Sequence, residues 1–385
     1  MMKIMLKSSS YLWDPDIYLY EGDIFSVRWY SVLFILGFII GRFLVVGAYK
    51  REKKYDTTVD LQMLYMVFGI LIGSRLGHVI FYEPEIFSRG IIEVFAFWKG
   101  GLASHGAAIG ILTGMAIYSF KVDFKDFRIQ VKDRLRRGYN YLQVMDRMII
   151  AVAIGCALIR MGNFFNSETI GLQTQSSYGV LFVNPSEERI KSQLPFVKNV
   201  SFEETGRFYK NGQPFLNTKI FFDNEEYKET RIKNSIQKSI NYLHPQYVYS
   251  NSTVINPYKD ELKYQFERNN SDFYMEYETV GVYRHPAQLY ESLTYLIIGI
   301  IMFIILKKYQ LNLRHGSLLA FFFISAFLGR FILEYFKENQ INNELYKLNN
   351  LLGLNLNLGQ LLSIPFVVFG VYLFLRNIKK DPFLS

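Results

Sequence analysis

The chain of 385 residues has one cysteine, Cys156. This rules out an internal disulfide and any cysteine-built metal site. Set among Ile154, Gly155, Ala157 and Leu158, Cys156 is read as a small packing residue, because apolar surroundings disfavour the thiolate. No His-x-x-x-His or paired-aspartate pattern occurs, so neither a metal nor any other cofactor is expected. Asp146 is the only aspartate in the hydrophobic stretches, which argues against an enzyme that works on metal-bound nucleotide lipids. No basic helix with interleaved aromatics is present, and the net charge of +9 is not read as a nucleic-acid surface. Between Met1 and Gly22 the apolar patches are short and broken by Lys7, Asp14, Pro15 and Asp16, so no cleavable signal peptide is expected.

Long hydrophobic runs, by contrast, are plentiful. A mean hydropathy of +0.09 averages them with a polar block and hides both. Seven stretches approach the ~20 residues that cross a bilayer: Ser26 to Ala48, Leu61 to Tyr82, Gly101 to Phe120, Gln143 to Phe165, Gln288 to Leu306, Gly316 to Phe336 and Leu358 to Leu375. Basic residues crowd one set of connections, around Lys50 to Lys54, Lys121 to Arg137, Lys307 to Arg314 and Arg376 to Lys380. The opposite set holds few. Positive loops stay in the cytoplasm, which predicts an N-terminus outside and a C-terminus inside. The positive charge then reflects topology and contact with anionic membrane lipids.

The expected fold class is an all-α polytopic membrane protein of seven transmembrane helices carrying a small mixed α/β extracytoplasmic insert. Its parts are an outer N-terminal segment (1–25), spans one to four (26–171), the insert (172–282), and spans five to seven with a cytoplasmic tail (283–385). Within the insert, Asn211-Gly212 between Phe208-Tyr209 and Phe215 is a hairpin signal. Asp223 and Glu226 form a helix start before an apolar stripe of Tyr227, Ile232, Ile236 and Ile240. His244 before Pro245 reads as a turn residue. Glycines recur at spacing four, as Gly37 and Gly41, as Gly69, Gly73 and Gly77, and as Gly106, Gly110 and Gly114, and predict close helix approach in a bundle.

Charges inside hydrocarbon are expensive and mark functional sites. The densest group is the run from Arg160 to Gly171. A helix through it would put Arg160, Asn163 and Ser167 on one ridge. Arg330 and Glu334 stand one turn apart in the sixth stretch, where they could also simply neutralise each other. His105 follows the turn Gly100-Gly101, whose glycines would let backbone approach a substrate. Arg284-His285-Pro286 and Tyr290-Glu291 bring further polar groups to the same outer face. Together these predict a membrane enzyme.

The stretch Gly162-Asn163-Phe164-Phe165-Asn166-Ser167-Glu168-Thr169-Ile170-Gly171, with Arg160 before it, resembles the signature of the prolipoprotein diacylglyceryl transferase family. Supporting matches are Arg28-Trp29-Tyr30, Gly73-Ser74-Arg75, Gly100-Gly101, His105-Gly106, Asp146-Arg147, Arg284 to Glu291, Gly329-Arg330 with Glu334, and Gly359-Gln360. The resemblance covers about Arg28 to Gly171 and Tyr283 onward. It implies a multi-pass protein of the bacterial cytoplasmic (inner) membrane whose partners are phosphatidylglycerol and the lipobox signal peptides of preprolipoproteins. The diacylglyceryl group of the lipid would pass to the lipobox cysteine, releasing glycerol 1-phosphate. Departures are a long segment before Arg284, Ser104 where a bulkier residue commonly precedes the histidine, and Ala326 where the family can carry a functional tyrosine.

Such a reaction needs a thiolate and a holder for the departing phosphate. Catalytic roles fall to His105, Arg330 and Glu334, with His105 taking or relaying the thiol proton and Glu334 fixing Arg330. Phosphatidylglycerol binding falls to Arg160, Asn163, Asn166, Glu168, Gly171 and Tyr30. The base is left open between His105, Glu168 and a substrate-assisted route. A secondary transporter of an anionic substrate is the alternative, and the lack of paired repeats between the two halves speaks against it. The insert is expected to govern access of the protein substrate.

Overall fold

The computed structural model describes residues 11–22, 25–53, 58–125, 128–133, 140–176, 178–223, 227–244, 252–258, 263–269, 272–309, 312–337 and 356–379. In chain order the helices are α1 (Trp29–Arg51), α2 (Val59–Phe81), α3 (Ile91–Phe95), α4 (Ser104–Ser119), α5 (Tyr141–Phe165), α6 (Asn184–Gln193), α7 (Glu229–Leu243), α8 (Ala287–Tyr309), α9 (Ser317–Leu333) and α10 (Leu358–Lys379). The strands are β1 (Tyr11–Trp13), β2 (Tyr18–Glu21), β3 (Ser26–Arg28), β4 (Phe120–Lys125), β5 (Arg128–Asp133), β6 (Val180–Phe182), β7 (Val197–Phe208), β8 (Pro214–Phe222), β9 (Val254–Ile255), β10 (Tyr264–Asn269) and β11 (Asp272–Gly281).

Among the described residues six helices, α1, α2, α5, α8, α9 with its extension to Phe336, and α10, are long and apolar enough to cross a membrane. The chain is a mostly helical, multi-pass membrane protein. The third expected stretch forms α4, which at 16 residues is shorter than that measure. The basic segment after it is a hairpin, β4 pairing antiparallel with β5.

The described residues fall into two compact units, one drawn from 31–160, 290–335 and 356–379, the other from 11–30, 161–289 and 336–337. The first holds most of the long helices. Tyr49, Met115, Met145, Met148, Leu319 and Phe323 are among the side chains of its core. Ile35, Phe43, Phe68, Ile304 and Val368 stay exposed on its outer faces, as lipid contact requires. Two of its helices start with reciprocal caps. Asn140 Oδ1 accepts the Gln143 amide at 3.0 Å while Gln143 Oε1 accepts that of Asn140 at 3.0 Å. Asn357 and Gln360 repeat the pattern at α10, at 2.8 and 3.0 Å. Each pair occupies two donors that a helix start leaves open. Asp146, fully buried, accepts the amides of Gly316 (2.7 Å) and Leu319 (3.0 Å) and so caps α9, where a carboxylate also suits the helix dipole. Its neighbour Arg147 donates to Glu52 at 2.6 Å.

Glycine decides how α2 meets α4. A Cβ at Gly77 would lie 2.7 Å from the Gly106 Cα, and one at Gly110 would lie 3.0 Å from the Gly73 Cα and collide with the Gly69 carbonyl. The expected close approach is therefore present. Arg75 of α2 donates to the carbonyls of Gly100 (2.9 Å) and Glu93 (2.9 Å), and the Ala103 amide donates to the Ser74 carbonyl at 2.9 Å. The glycine turn that leads into α4 is tied to α2 in this way.

In the other unit an antiparallel sheet runs β10-β11-β8-β7, with β9 also on β11. Burial alternates along β8 residue by residue, the period-two pattern of a sheet with one face covered. Ile190 of α6 and Ile232 and Ile236 of α7 pack with Leu216, Ile220, Phe222 and Met275. The Asn211-Gly212 hairpin is present between β7 and β8. The helix after it begins later than expected, at Glu229, with Lys228 at the cap position and no side-chain capping bond. Glu226 and the side chain of Ile240 lie outside the described residues. His244, expected in a turn, is a buried residue at the end of α7 whose Nε2 shares a hydrogen bond with the Tyr277 hydroxyl at 2.8 Å. Burial first, and the charge of Arg189 second, push its pKa down to about 3.

Candidate active site

The signature loop starts where α5 stops. Ser167 adopts a left-handed conformation, φ +52°, just past the helix. Its amide bonds the Phe164 carbonyl at 3.1 Å, and the Glu168 amide reaches back to the Asn163 carbonyl at 2.9 Å. This is a Schellman cap, with serine at the position where glycine is usual. The expected ridge of Arg160, Asn163 and Ser167 therefore ends at Asn163, because Ser167 has left the helix. The indole of Trp13 donates to the Phe164 carbonyl at 3.0 Å and its ring lies 4.3 Å from that of Phe164.

The cap turns Glu168 back over the helix end. Asn163 Nδ2 donates to Glu168 Oε2 at 3.0 Å, and Asn166 Nδ2 donates to Oε1 at 3.2 Å. Asn163 is buried while Glu168 is exposed, so a sheltered amide orients a carboxylate that remains accessible. Thr169 is again left-handed, φ +52°. Such a backbone costs of order 1–3 kcal/mol in a non-glycine residue, most where the side chain is β-branched. The neighbours must hold it.

The chain beyond it is held at Gly171. Its amide donates to the His285 carbonyl at 2.9 Å, the Leu172 amide to the Phe336 carbonyl at 2.8 Å, and the His285 amide to the Leu172 carbonyl at 3.0 Å. A Cβ on Gly171 would lie 2.6 Å from the carbonyl oxygens of His285 and Phe336. Arg284, fully buried, donates through Nη1 to the Gly171 carbonyl at 3.1 Å and through Nε and Nη2 to the Ser252 carbonyl at 2.9 and 2.7 Å. Burial pushes the pKa of His285 down. Tyr30 packs on Gly162, where an added Cβ would come within 2.9 Å of its ring.

In the other unit, Glu291 is buried between two guanidinium groups. Arg160 Nε lies 2.9 Å from its Oε2 and Arg330 Nη1 3.6 Å from its Oε1. Arg330 Nη2 is also 3.9 Å from Glu334. Two cations and two carboxylates sum to formal neutrality. The pairs at Arg330 are longer than hydrogen bonds, so its fork is shared loosely rather than locked. Gly359 lies so close to Glu334 that a Cβ there would collide with the carboxylate. His105, buried in the first turn of α4, has its ring 6.4 Å from Phe327 and 6.1 Å from Phe366, whose own rings stack at 4.2 Å. Ala326 is buried on α9.

Among the residues expected from sequence, Arg160, Arg330 and Glu334 thus gather in one charged cluster, and Asn163, Asn166 and Glu168 in one polar cluster. Gly171 and Tyr30 sit in the unit of the polar cluster, and His105 in that of the charged one. The sequence points to Glu291 only as a polar neighbour, although it is the carboxylate on which both arginines converge. Its signal is a carboxylate about one turn into a hydrophobic stretch.

A phosphatidylglycerol-prolipoprotein diacylglyceryl transferase of Chloroherpeton thalassium is 28% identical over 376 residues, covering 97% of each chain. Proteins of that name from Tolumonas auensis and Porphyromonas gingivalis are 27% and 28% identical, covering 96% of this chain and 98% and 95% of their own. The model of the prolipoprotein diacylglyceryl transferase family matches residues 18–376, and the chain belongs to that family.

Proposed function

We propose that this chain transfers the diacylglyceryl group of phosphatidylglycerol to the lipobox cysteine thiol of a preprolipoprotein and releases glycerol 1-phosphate. The observation that carries the reading is the cluster of Arg160, Arg330 and Glu334 around the buried Glu291, in a family whose named relatives act on these two substrates. In the reaction a bond forms between the cysteine sulfur and the glyceryl carbon, and the carbon–oxygen bond to phosphate breaks. The thiol proton passes to His105, and negative charge grows on the departing phosphate. Arg160 and Arg330 stabilise that charge. A phosphate competes with Glu291 for the Arg330 fork, which its long pairs leave available. Asn163, Asn166 and Glu168 orient the glycerol head group, Gly171 lets the backbone come close, Glu334 aligns Arg330, and Tyr30 lines the approach. The family and these groups call for no cofactor.

The same proposal places seven spans in a bacterial cytoplasmic membrane, with the N-terminus and residues 172–282 outside and the C-terminus inside. Basic residues in the opposite connections support this orientation. Protein in nanodiscs, given glycerol-and-acyl-labelled phosphatidylglycerol and a lipobox peptide, should yield a thioether-linked lipopeptide and free glycerol phosphate. Phosphatidylethanolamine, or a peptide with serine in place of cysteine, should yield neither. Absence of lipopeptide from well-folded protein would refute the reading. A cysteine introduced near Asn211 should react with an impermeant label in intact cells, and protection there would reverse the topology.

A further inference from the structure

We propose that Gln288 is a positioning residue that holds the Glu168 main chain in its strained turn and thereby sets the Glu168 carboxylate; this rests on the role given to Glu168 above. The side chain of Gln288 is fully buried, and its Nε2 donates to the Glu168 carbonyl at 2.6 Å. That carbonyl lies between Ser167 and Thr169, both at φ +52°. An amide turned the other way would set two oxygens against each other, so the nitrogen faces the carbonyl.

The reason such a bond is needed is local. The Schellman cap accounts for Ser167, whose conformation follows from bonds at Phe164 and Asn163. It does not account for Thr169, a β-branched residue two positions beyond. Without a restraint, Thr169 relaxes to negative φ, and this swings the plane of the Glu168–Thr169 peptide away from its present direction. The Gln288 bond fixes the oxygen of that same peptide. From it the carboxylate is only the length of a side chain away, where Asn163 and Asn166 meet it. Gln288 reaches the loop from the first turn of α8, so a helix rather than another loop supplies the restraint.

A loop that is competent for only part of the time weakens apparent substrate affinity by that fraction and leaves turnover of the bound complex intact. Gln288→Ala should therefore raise KM for phosphatidylglycerol about tenfold, the loss of one buried hydrogen bond, with kcat close to wild type. A role in folding alone would lower the active fraction, and so apparent kcat, without moving KM. Thr169→Gly supplies the rescue, because glycine takes positive φ without strain. In the Gln288→Ala background it should return KM most of the way to wild type.

Amide exchange at residues 167–171 gives a second readout that does not depend on catalysis. It should be about tenfold faster in Gln288→Ala. Wild-type transfer, measured first, tests the functional reading, and exchange in the variant tests the turn whether or not transfer is seen. A wild-type KM in Gln288→Ala, unchanged exchange at residues 167–171, or failure of Thr169→Gly to restore KM would each overturn the assignment of Gln288.

Discussion

Two groups of charge lie within the long helices, and they are built differently. Asp146 and Arg147, near the start of α5, end in short and complete bonds: two main-chain amides for the one, and Glu52 at 2.6 Å for the other. Arg160, toward the opposite end of α5, shares its carboxylate with Arg330, whose pairs stretch to 3.6 and 3.9 Å. Intramembrane charge alone does not distinguish structure from chemistry. Closed bonding marks the structural group. In the function proposed above, the long pairs at Arg330 are what give the second group its capacity to exchange a partner for a substrate anion.

Substitutions can break this contrast, and the largest effect is expected at Arg160. Arg160→Ala should lower lipid transfer to the peptide about 100- to 1,000-fold while the protein still inserts, the scale seen when one donor to a developing anion is removed. Arg160→Lys should also lose most activity, since an ammonium cannot reproduce the fork. Wild-type rates in either variant would end the assignment. At the structural pair, Arg147→Ala leaves buried Glu52 without its guanidinium and should cost roughly 3 kcal/mol of stability. It should be seen as a lower Tm in detergent, with the specific activity of the folded fraction retained. If activity fell without loss of Tm, the two groups would not differ in kind.

Glu334→Gln, a smaller change, removes a charge that aligns Arg330 from 3.9 Å and should reduce kcat about tenfold. The smallest effect lies outside the helices, at His244. Its pKa falls from about 6.5 when unfolded to about 3 in the folded protein. The unfolded state therefore binds more protons between those values. Stability is complete above about pH 6.5 and declines as pH falls, by on the order of 1 kcal/mol between pH 6 and 5. Exchange of β11 and α7 amides should quicken over that interval, and His244→Gln should flatten the response. An equal response in both would show that another group titrates.

Much of the architecture was legible because hydrophobic runs report helices directly. The expected stretches end within a few residues of α1, α2, α5, α8, α9 and α10. The Asn211-Gly212 turn and the buried Ile232–Ile236 face were equally readable from local pattern. What depended on distance in sequence was not. Asp146 caps a helix 173 residues away at Leu319, and Glu291 joins residues from α5 and α9, which no periodicity could foretell. The Arg160–Ser167 ridge failed for a different reason. Nothing in Asn-Phe-Phe-Asn-Ser announces a left-handed serine where glycine is the usual signal. Among the candidate residues, chemical type is visible from sequence, and of the partners only the local pair Arg330–Glu334 is.

The latch of Arg75 on Gly100 has a consequence for biosynthesis. The carbonyl of Gly100 lies 25 residues further along the chain, and that of Glu93, the other acceptor, 18. At about 5–20 residues per second, synthesis delivers these carbonyls a few seconds after the arginine. During the interval α2 carries an arginine whose carbonyl acceptors are still missing, toward the end of a helix at whose centre such a charge would cost about 2.5–3.5 kcal/mol to insert. The helix is therefore poorly suited to leave the insertion machinery alone. It is better released together with α4, whose glycines fit against its own, so the order in which the ribosome presents these residues becomes part of how the hairpin assembles.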